Sequence, residues 1–128
     1  MLREDQTGER TRSALLAPLR EEARRSAILT DVDGTLAPIV ERAEEAAVPA
    51  AAREALAALN ERFGLVGCVS GRRAEDARKL VGLDGIAYAG NHGLELLLPG
   101  EDSPRPDPSL AGREEDAAEF LGGLDRDA

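Results

Sequence analysis

Apolar and polar residues along the chain form two recurring kinds of segment. Short runs rich in apolar and β-branched residues, bounded by glycine or polar residues, are typical of buried strands. Longer stretches rich in Ala, Leu, Arg and Glu are typical of amphipathic helices. The pattern predicts strands at residues 27–32, 65–69 and 86–89, and helices at residues 9–25, 49–63, 72–81 and 112–121.

Proline and glycine mark several boundaries of these segments. Pro49 stands at a natural helix start, and Gly64 and Gly82 follow the ends of the second and third predicted helices. Pro18 predicts a kink in the first helix, because proline lacks the N–H that a helix interior needs. The boundaries therefore agree with the periodicity.

The alternation of strands and helices predicts the α/β fold class. Successive β-α-β segments favour parallel strands joined by right-handed crossovers, so we expect a partial Rossmann-like parallel sheet with flanking helices. Open sheets of this kind bind ligands beyond the carboxyl ends of their strands. The residues that follow each strand are therefore the candidates for a functional site.

The first strand ends in two carboxylates, Asp31 and Asp33, followed at once by Gly34. Side chains two residues apart on a strand share a face, so both carboxylates leave the strand end together. Such a pair stays ionised only with a cation nearby, and Mg²⁺ suits it because Mg²⁺ shares oxygen ligands with phosphates. Gly34 permits a sharp turn that leaves N–H groups facing an anion. The alternative is a strand end capped by an Asx-type turn with no chemistry.

The second strand ends in Ser70, Gly71 and Arg72. The Ser70 hydroxyl can donate to a phosphate oxygen, Gly71 allows close backbone approach, and the following helix N-terminus favours an anion. The alternative is that Ser70 is an ordinary helix N-cap. Arg72 is either a further anion contact or a solvated surface arginine.

The third strand leads into the sequence Gly-Asn-His-Gly-Leu-Glu at residues 90–95. Asn91, His92 and Glu95 bring several hydrogen-bonding groups into a short loop, which suits a polyhydroxylated ligand. His92 is the only histidine of the chain, so a Ser/His/Asp triad or a multi-histidine zinc site is excluded. The alternative is that these three residues only shape the turn.

The three strand ends together resemble a known family. Residues 31–36, Asp-Val-Asp-Gly-Thr-Leu, are similar to the first signature of the haloacid dehalogenase-like (HAD-like) phosphatases. The Ala-Pro-Ile that follows, the Ser-Gly-Arg string and the Gly-Asn-His-Gly-x-Glu string resemble the trehalose-6-phosphate phosphatase branch. Val32 departs from the tyrosine that is usual there.

The resemblance implies a Mg²⁺-dependent hydrolysis of trehalose 6-phosphate to trehalose and phosphate. Asp31 would attack phosphorus and form an aspartyl-phosphate. Asp33 would protonate the leaving oxygen and then deprotonate the hydrolytic water. Asp31 and Asp33 would also be the metal ligands, Asp33 through its backbone carbonyl.

The resemblance also implies the remaining site residues. One group would hold the transferred phosphoryl group, and the other would contact the sugar phosphate as substrate. The expected phosphate-binding residues are Gly34, Thr35, Ser70, Gly71 and Arg72, and the expected substrate-binding residues are Asn91, His92 and Glu95.

Composition and charge limit the other function classes. A net charge of -9 and a pI near 4.6 argue against nucleic acid or an anionic membrane as partner. No apolar stretch reaches the ~20 residues of a membrane span, and the polar N-terminus does not resemble a signal peptide. We therefore expect a cytoplasmic protein. Cys68, the single cysteine, lies in an apolar strand and is interpreted as a packing residue.

Two parts of the family's site have no counterpart among the expected residues. The family also uses a later lysine and an acidic pair on a fourth strand, whereas the single lysine, Lys79, falls within a predicted helix. We expect residues 1–25 to form a helical segment, residues 26–98 the N-terminal half of a HAD-like core, and residues 99–128 a linker and the start of a cap helix. The chain would then be a truncated or fragmentary form, and a partner chain or C-terminal half would supply the missing groups.

Other functions stay open beside this interpretation. The chain could be a non-catalytic phosphate-binding or regulatory module, or a HAD phosphatase for another sugar phosphate. A receiver-like domain is disfavoured because Gly90, Asn91 and His92 offer no acceptor aspartate after the third strand.

Overall fold

The computed structural model describes residues 2–110 and 112–124. Met1, Ala111 and residues 125–128, which fall in the predicted segments 1–25 and 99–128, lie outside the described residues. The described residues form four α-helices and five strands, which alternate as far as β3. In chain order they are α1 (Leu2–Glu21), β1 (Ala27–Asp31), α2 (Ala50–Arg62), β2 (Leu65–Val69), α3 (Ala74–Val81), β3 (Ala87–Gly90), β4 (Glu95–Leu97), β5 (Arg105–Pro106) and α4 (Arg113–Leu124).

The strands form one sheet in the order β1-β2-β3-β4-β5. β1, β2 and β3 are parallel, which confirms the predicted β-α-β units. β4 and β5 are antiparallel additions that the sequence pattern does not predict. Both are very short, and the prolines and glycine around them obscured the strand pattern. Among the described residues β1 pairs only with β2, so it forms an edge of the sheet.

α2 and α3 cover the same face of this sheet. Right-handed crossovers that run in one direction, from β1 to β2 to β3, place their helices on one side. The core lies between these helices and the sheet, and Leu56, Val66, Ile86 and Tyr88 are among its buried members. Cys68 belongs to the same core, where burial raises the pKa of its thiol to about 11, so it stays an unreactive packing residue at neutral pH.

The opposite face of the sheet carries exposed apolar side chains. Leu29 of β1 is 62% exposed, although it lies within a strand. The register places Leu29 opposite Gly67, on the face that α2 and α3 do not cover. Leu65, Val69 and Leu96 are also exposed in their strands.

Most predicted elements are confirmed with small shifts at their ends. β2 has the predicted bounds, and α2 begins directly after Pro49. Gly82, with φ +76°, ends α3 in the left-handed conformation that favours glycine. α1 begins before the predicted residue 9 and includes Pro18. Within the described residues, no helix combines the length and apolar character needed to cross a membrane.

Candidate active site

The carboxyl ends of β1 and β2 bring the first two motifs together. Asp31 pairs in register with Val69, so Ser70 begins the neighbouring loop one residue further along. Asp31 is exposed at this edge, whereas Ser70 is 4% exposed and is the one buried polar residue of the described chain. The parallel register therefore places a carboxylate and a hydroxyl at adjacent strand ends, as the sequence predicts.

A tight turn follows β1 and is anchored by Val32. The buried Val32 accepts hydrogen bonds at its carbonyl from the N–H groups of Leu36 and Ala37, at 3.0 and 2.9 Å. Gly34 has φ +86°, and its N–H donates to the Ala37 carbonyl at 2.8 Å. The turn thus requires glycine, but the expectation that the Gly34 N–H is free to face an anion is wrong, because the turn itself uses it.

Arg72 binds the carboxylate of Asp33 through two hydrogen bonds. Its Nε donates to Oδ2 at 2.9 Å and its Nη2 donates to Oδ1 at 2.8 Å. The guanidinium also reaches the Ala43 carbonyl, at 3.3 and 3.4 Å. The sequence predicts Arg72 as a phosphate contact, and it does not reveal this fork-like pairing because 39 residues separate the two partners.

This pairing changes the electrostatics of Asp33. Hydrogen bonds from Arg72 lower the pKa of the Asp33 carboxyl below its usual value, and the positive charge of Arg72 adds to that effect. Partial burial acts in the opposite direction and is outweighed. The structure therefore holds Asp33 as a carboxylate.

Ser70 is fixed by its main chain and keeps a hydroxyl proton to donate. Its N–H donates to the Ala89 carbonyl at 2.9 Å, and its Oγ accepts the Arg72 N–H at 3.1 Å. Because a hydroxyl carries one proton, the donor of Ser70 remains available for an anion. The helix N-cap is Arg73, so the alternative that Ser70 caps α3 is wrong.

The third motif folds back against the loop that carries Ser70. Asn91 and His92 both have left-handed backbone conformations, with φ of +49° and +60°. The Asn91 N–H donates to the Arg72 carbonyl at 2.7 Å, and the His92 N–H donates to the Ser70 carbonyl at 3.0 Å. Glu95 accepts the Ala74 N–H at 2.6 Å. These three expected substrate contacts therefore lie beside the loop that carries Ser70, at the same edge of the sheet.

A cavity of about 350 Å³ lies next to this motif. Glu95 and Gly93 form part of its wall, and Arg105 and Asp107 of the β5 region form another part. Asp31, Asp33 and Ser70 do not line it. Thr35 is exposed in the turn after Asp33, away from this cavity wall.

The donor groups at the end of β1 fit a hard cation. Asp31 offers an exposed carboxylate, whereas both carboxylate oxygens of Asp33 face Arg72, which leaves its backbone carbonyl as the candidate ligand. Among the described residues there is no group of three or more His, Cys, Asp or Glu side chains that could hold a metal. Mg²⁺ commonly uses one or two protein oxygens together with water and phosphate, so this sparse donor set suits it.

Comparison with known proteins identifies the family. The trehalose-phosphatase family model matches residues 29–110, which include all three strand-end motifs. The chain belongs to the trehalose-phosphatase family. The match confirms the resemblance of the motifs and makes the chain a member of a phosphatase family with the α/β fold described above.

Relatives of this chain include two proteins of Mycobacterium tuberculosis (strain ATCC 25618 / H37Rv). A trehalose-phosphate phosphatase is 46% identical over 77 residues, which are 60% of this chain and 19% of that protein. An uncharacterized glycosyl hydrolase is 47% identical over 76 residues, 59% of this chain and 6% of that protein. The chain thus matches only a small part of the length of these relatives.

A solved structure supports the fold. The C-terminal domain of trehalose-6-phosphate phosphatase from C. albicans superposes with a TM-score of 0.63 at 24% identity, over 84% of this chain and 39% of that domain. At this identity the likeness shows a shared fold. In fold, this chain therefore corresponds to part of that longer domain.

Proposed function

We propose that this chain carries the nucleophile part of a trehalose-6-phosphate phosphatase site. The observation that supports this most directly is the meeting of Asp31, Ser70 and the Asp33–Arg72 pair at adjacent ends of parallel strands. Family membership and the M. tuberculosis relative make trehalose 6-phosphate the substrate that we propose. The assigned roles below belong to this proposal.

Asp31 is the nucleophile. Its exposed carboxylate oxygen forms a bond to phosphorus while the bond from phosphorus to the sugar oxygen breaks, which gives an aspartyl-phosphate and free trehalose. Asp33 donates a proton to the leaving sugar oxygen. Water then attacks phosphorus, Asp33 takes a proton from it, and the Asp31 carboxylate and inorganic phosphate are released.

The contact with Arg72 favours the ionised form of Asp33 before the reaction begins. A carboxylate bound by two N–H groups is the proton acceptor that the second step requires. Donation in the first step requires Asp33 first to take a proton from the solvent, which weakens its pairing with Arg72. Ser70, Thr35 and the backbone of Gly71 are the proposed phosphate contacts that remain after the Gly34 N–H has been assigned to the turn.

Mg²⁺ would be held by the Asp31 carboxylate and the Asp33 backbone carbonyl. When bound, it would neutralise charge on the phosphate oxygens and reduce their repulsion of the Asp31 nucleophile. Asp31 would thus serve both as the nucleophile and as a ligand of the cation. Two further statements, the cytoplasmic location and the segment boundaries at residues 25 and 98, remain predictions from the sequence.

The family resemblance implies that the site also requires a lysine, and neither Lys79 nor Arg72 meets that requirement. Lys79 lies exposed on α3, and Arg72 is occupied by Asp33. We propose that a lysine and an acidic pair come from a later segment of a longer protein or from a partner chain. The small share of its relatives that this chain covers supports that proposal.

The experiment is phosphate release from trehalose 6-phosphate by the 128-residue chain in the presence and absence of Mg²⁺. We expect slow release that depends on Mg²⁺ and on Asp31, with an acid-stable phosphoenzyme that Asp31→Asn does not form. Glucose 6-phosphate serves as the competing substrate and tests the alternative of another sugar phosphate.

Asp84→Asn is the matched control. Asp84 is an exposed carboxylate that lies 4.0 Å from Arg78, and it precedes β3, whereas the proposed site follows the carboxyl ends of the strands. The Asp84→Asn variant should release phosphate at the same rate as the unaltered chain. Release that survives Asp31→Asn would contradict the proposed nucleophile, and turnover at an ordinary enzymatic rate would contradict the proposal that further groups are needed.

A further inference from the structure

The loop that joins β2 to α3 is held at both ends by residues 90–95. At its start, the Ser70 carbonyl accepts the His92 N–H at 3.0 Å, and the Arg72 carbonyl accepts the Asn91 N–H at 2.7 Å. Two main-chain hydrogen bonds from one loop to another fix their relative position. Residues 70–72 therefore cannot shift without breaking contacts to the third motif.

The imidazole of His92 adds a side-chain contact to this loop. A Cβ placed on Gly71 would lie 2.6 Å from His92 Cε1 and 3.1 Å from Nε2, so the ring lies directly against the Gly71 backbone. His92 keeps this position with φ +60°, where a non-glycine residue costs on the order of 1 kcal/mol. Glycine would avoid that cost, so the ring contact is what a histidine adds at this position.

Glu95 fixes the other end of the loop. Its Oε1 accepts the Ala74 N–H, the first of α3, at 2.6 Å. Gly90 allows this approach, since a Cβ there would lie 2.2 Å from the Ala74 nitrogen. The motif therefore contacts the loop before and after Arg72.

Arg72 lies between these fixed points, and its guanidinium binds both oxygens of Asp33. We propose that His92 and Glu95 are positioning residues that hold residues 70–72 so that Arg72 meets Asp33 and Ser70 faces the phosphate. This assigns the motif a role in the reaction that is distinct from contact with the sugar. The purpose of the positioning rests on the proposed function, whereas the positioning itself is a property of the chain alone.

The test is an NMR measurement of the Arg72 Nε–H, whose exchange with water is slowed by its bond to Asp33. The signal is assigned by its loss in Arg72→Lys. We expect His92→Gly and Glu95→Ala each to accelerate this exchange by about tenfold or more, because each releases one side of the loop. Glu95→Gln retains an acceptor oxygen and should restore most of the protection.

Asn60→Ala is the matched control. The Asn60 side chain donates to the Gly85 carbonyl at 3.0 Å and does not contact the loop, so exchange at Arg72 should stay within about twofold of the unaltered chain.

A role confined to turn shape predicts a different result for His92→Gly. Glycine would then relieve the left-handed backbone, raise the melting temperature and leave the Arg72 signal unchanged.

Several outcomes would overturn the proposal. Unchanged exchange in folded His92→Gly and Glu95→Ala would show that neither residue positions Arg72. If His92→Gly does not fold, Glu95→Ala decides alone, and the loss of folding in both would show a general structural role instead. The exchange measurement needs no turnover. It can therefore support the positioning role even if the chain releases no phosphate, and phosphate release can be observed even if the exchange at Arg72 is unchanged.

Discussion

The guanidinium of Arg72 contacts both oxygens of Asp33, and this pairing determines how that carboxyl group responds to pH. The hydrogen bonds hold the pKa of Asp33 below its usual value. A lowered pKa means that the pairing stabilises the folded chain above the unfolded-state pKa of about 3.9. That stabilisation is lost as the pH falls through the lower, folded-state pKa.

Arg72→Lys should reduce stability more at neutral pH than in acid. An ammonium group cannot bind two oxygens in the fork geometry, so the pKa of Asp33 should rise toward its usual value. Because the Asp33 side chain is 40% exposed, we expect a loss of less than about 1 kcal/mol in the free energy of unfolding at neutral pH. Urea unfolding at neutral pH and at pH ~3 measures this loss. The difference in unfolding free energy between Arg72→Lys and the unaltered chain should be smaller in acid.

Arg53→Lys is the control for this prediction. Arg53 donates from Nε to the Val81 carbonyl at 2.7 Å and has no carboxylate partner in that bond. Its effect on stability should therefore be the same at both pH values. A pH-independent effect of Arg72→Lys would mean that the pairing does not set the protonation of Asp33.

The elements that carry the site could be predicted from sequence as far as local pattern reaches. The apolar run of β2 and the residues at both ends of α2 have clear signals, and the parallel order places Asp31 and Ser70 together. The pairing of Glu95 with the start of α3 could not be predicted, because 21 residues separate the partners and no local pattern encodes it. β4 was missed for a similar reason, since three residues are too few to show a period.

Gly90→Ala should disrupt the packing of β3 against α3. The new methyl group would lie 2.2 Å from the Ala74 nitrogen and 2.7 Å from its Cα, and a backbone cannot yield as a flexible side chain can. We expect a loss of about 2–4 kcal/mol in the free energy of unfolding, measured by urea denaturation. Gly8→Ala in α1, with no atom within 4 Å, makes the same chemical change and should be neutral or stabilising. Equal stability of Gly90→Ala and the unaltered chain would show that α3 adjusts freely.

The sheet as a whole is covered on one face and carries exposed apolar residues on the other. α2 and α3 bury Val66, Ile86 and Tyr88, whereas Leu29 and Leu96 on the opposite face are 62% and 41% exposed. β1 also presents an unpaired edge beside Asp31. Apolar surface and a free strand edge both favour association between chains. The net charge of -9 opposes it at low ionic strength.

The isolated chain should therefore associate with itself, and Leu29→Thr should weaken that association. Threonine keeps the preference for a strand but removes apolar area from the exposed face, which is worth on the order of 1 kcal/mol per chain. The dissociation constant should then rise by roughly tenfold or more, measured by sedimentation at moderate salt. Ile39→Thr is the control, because Ile39 is 83% exposed but lies in a loop rather than in the sheet. A monomeric chain at all concentrations, or an equal effect of both substitutions, would exclude this sheet face as the surface of association.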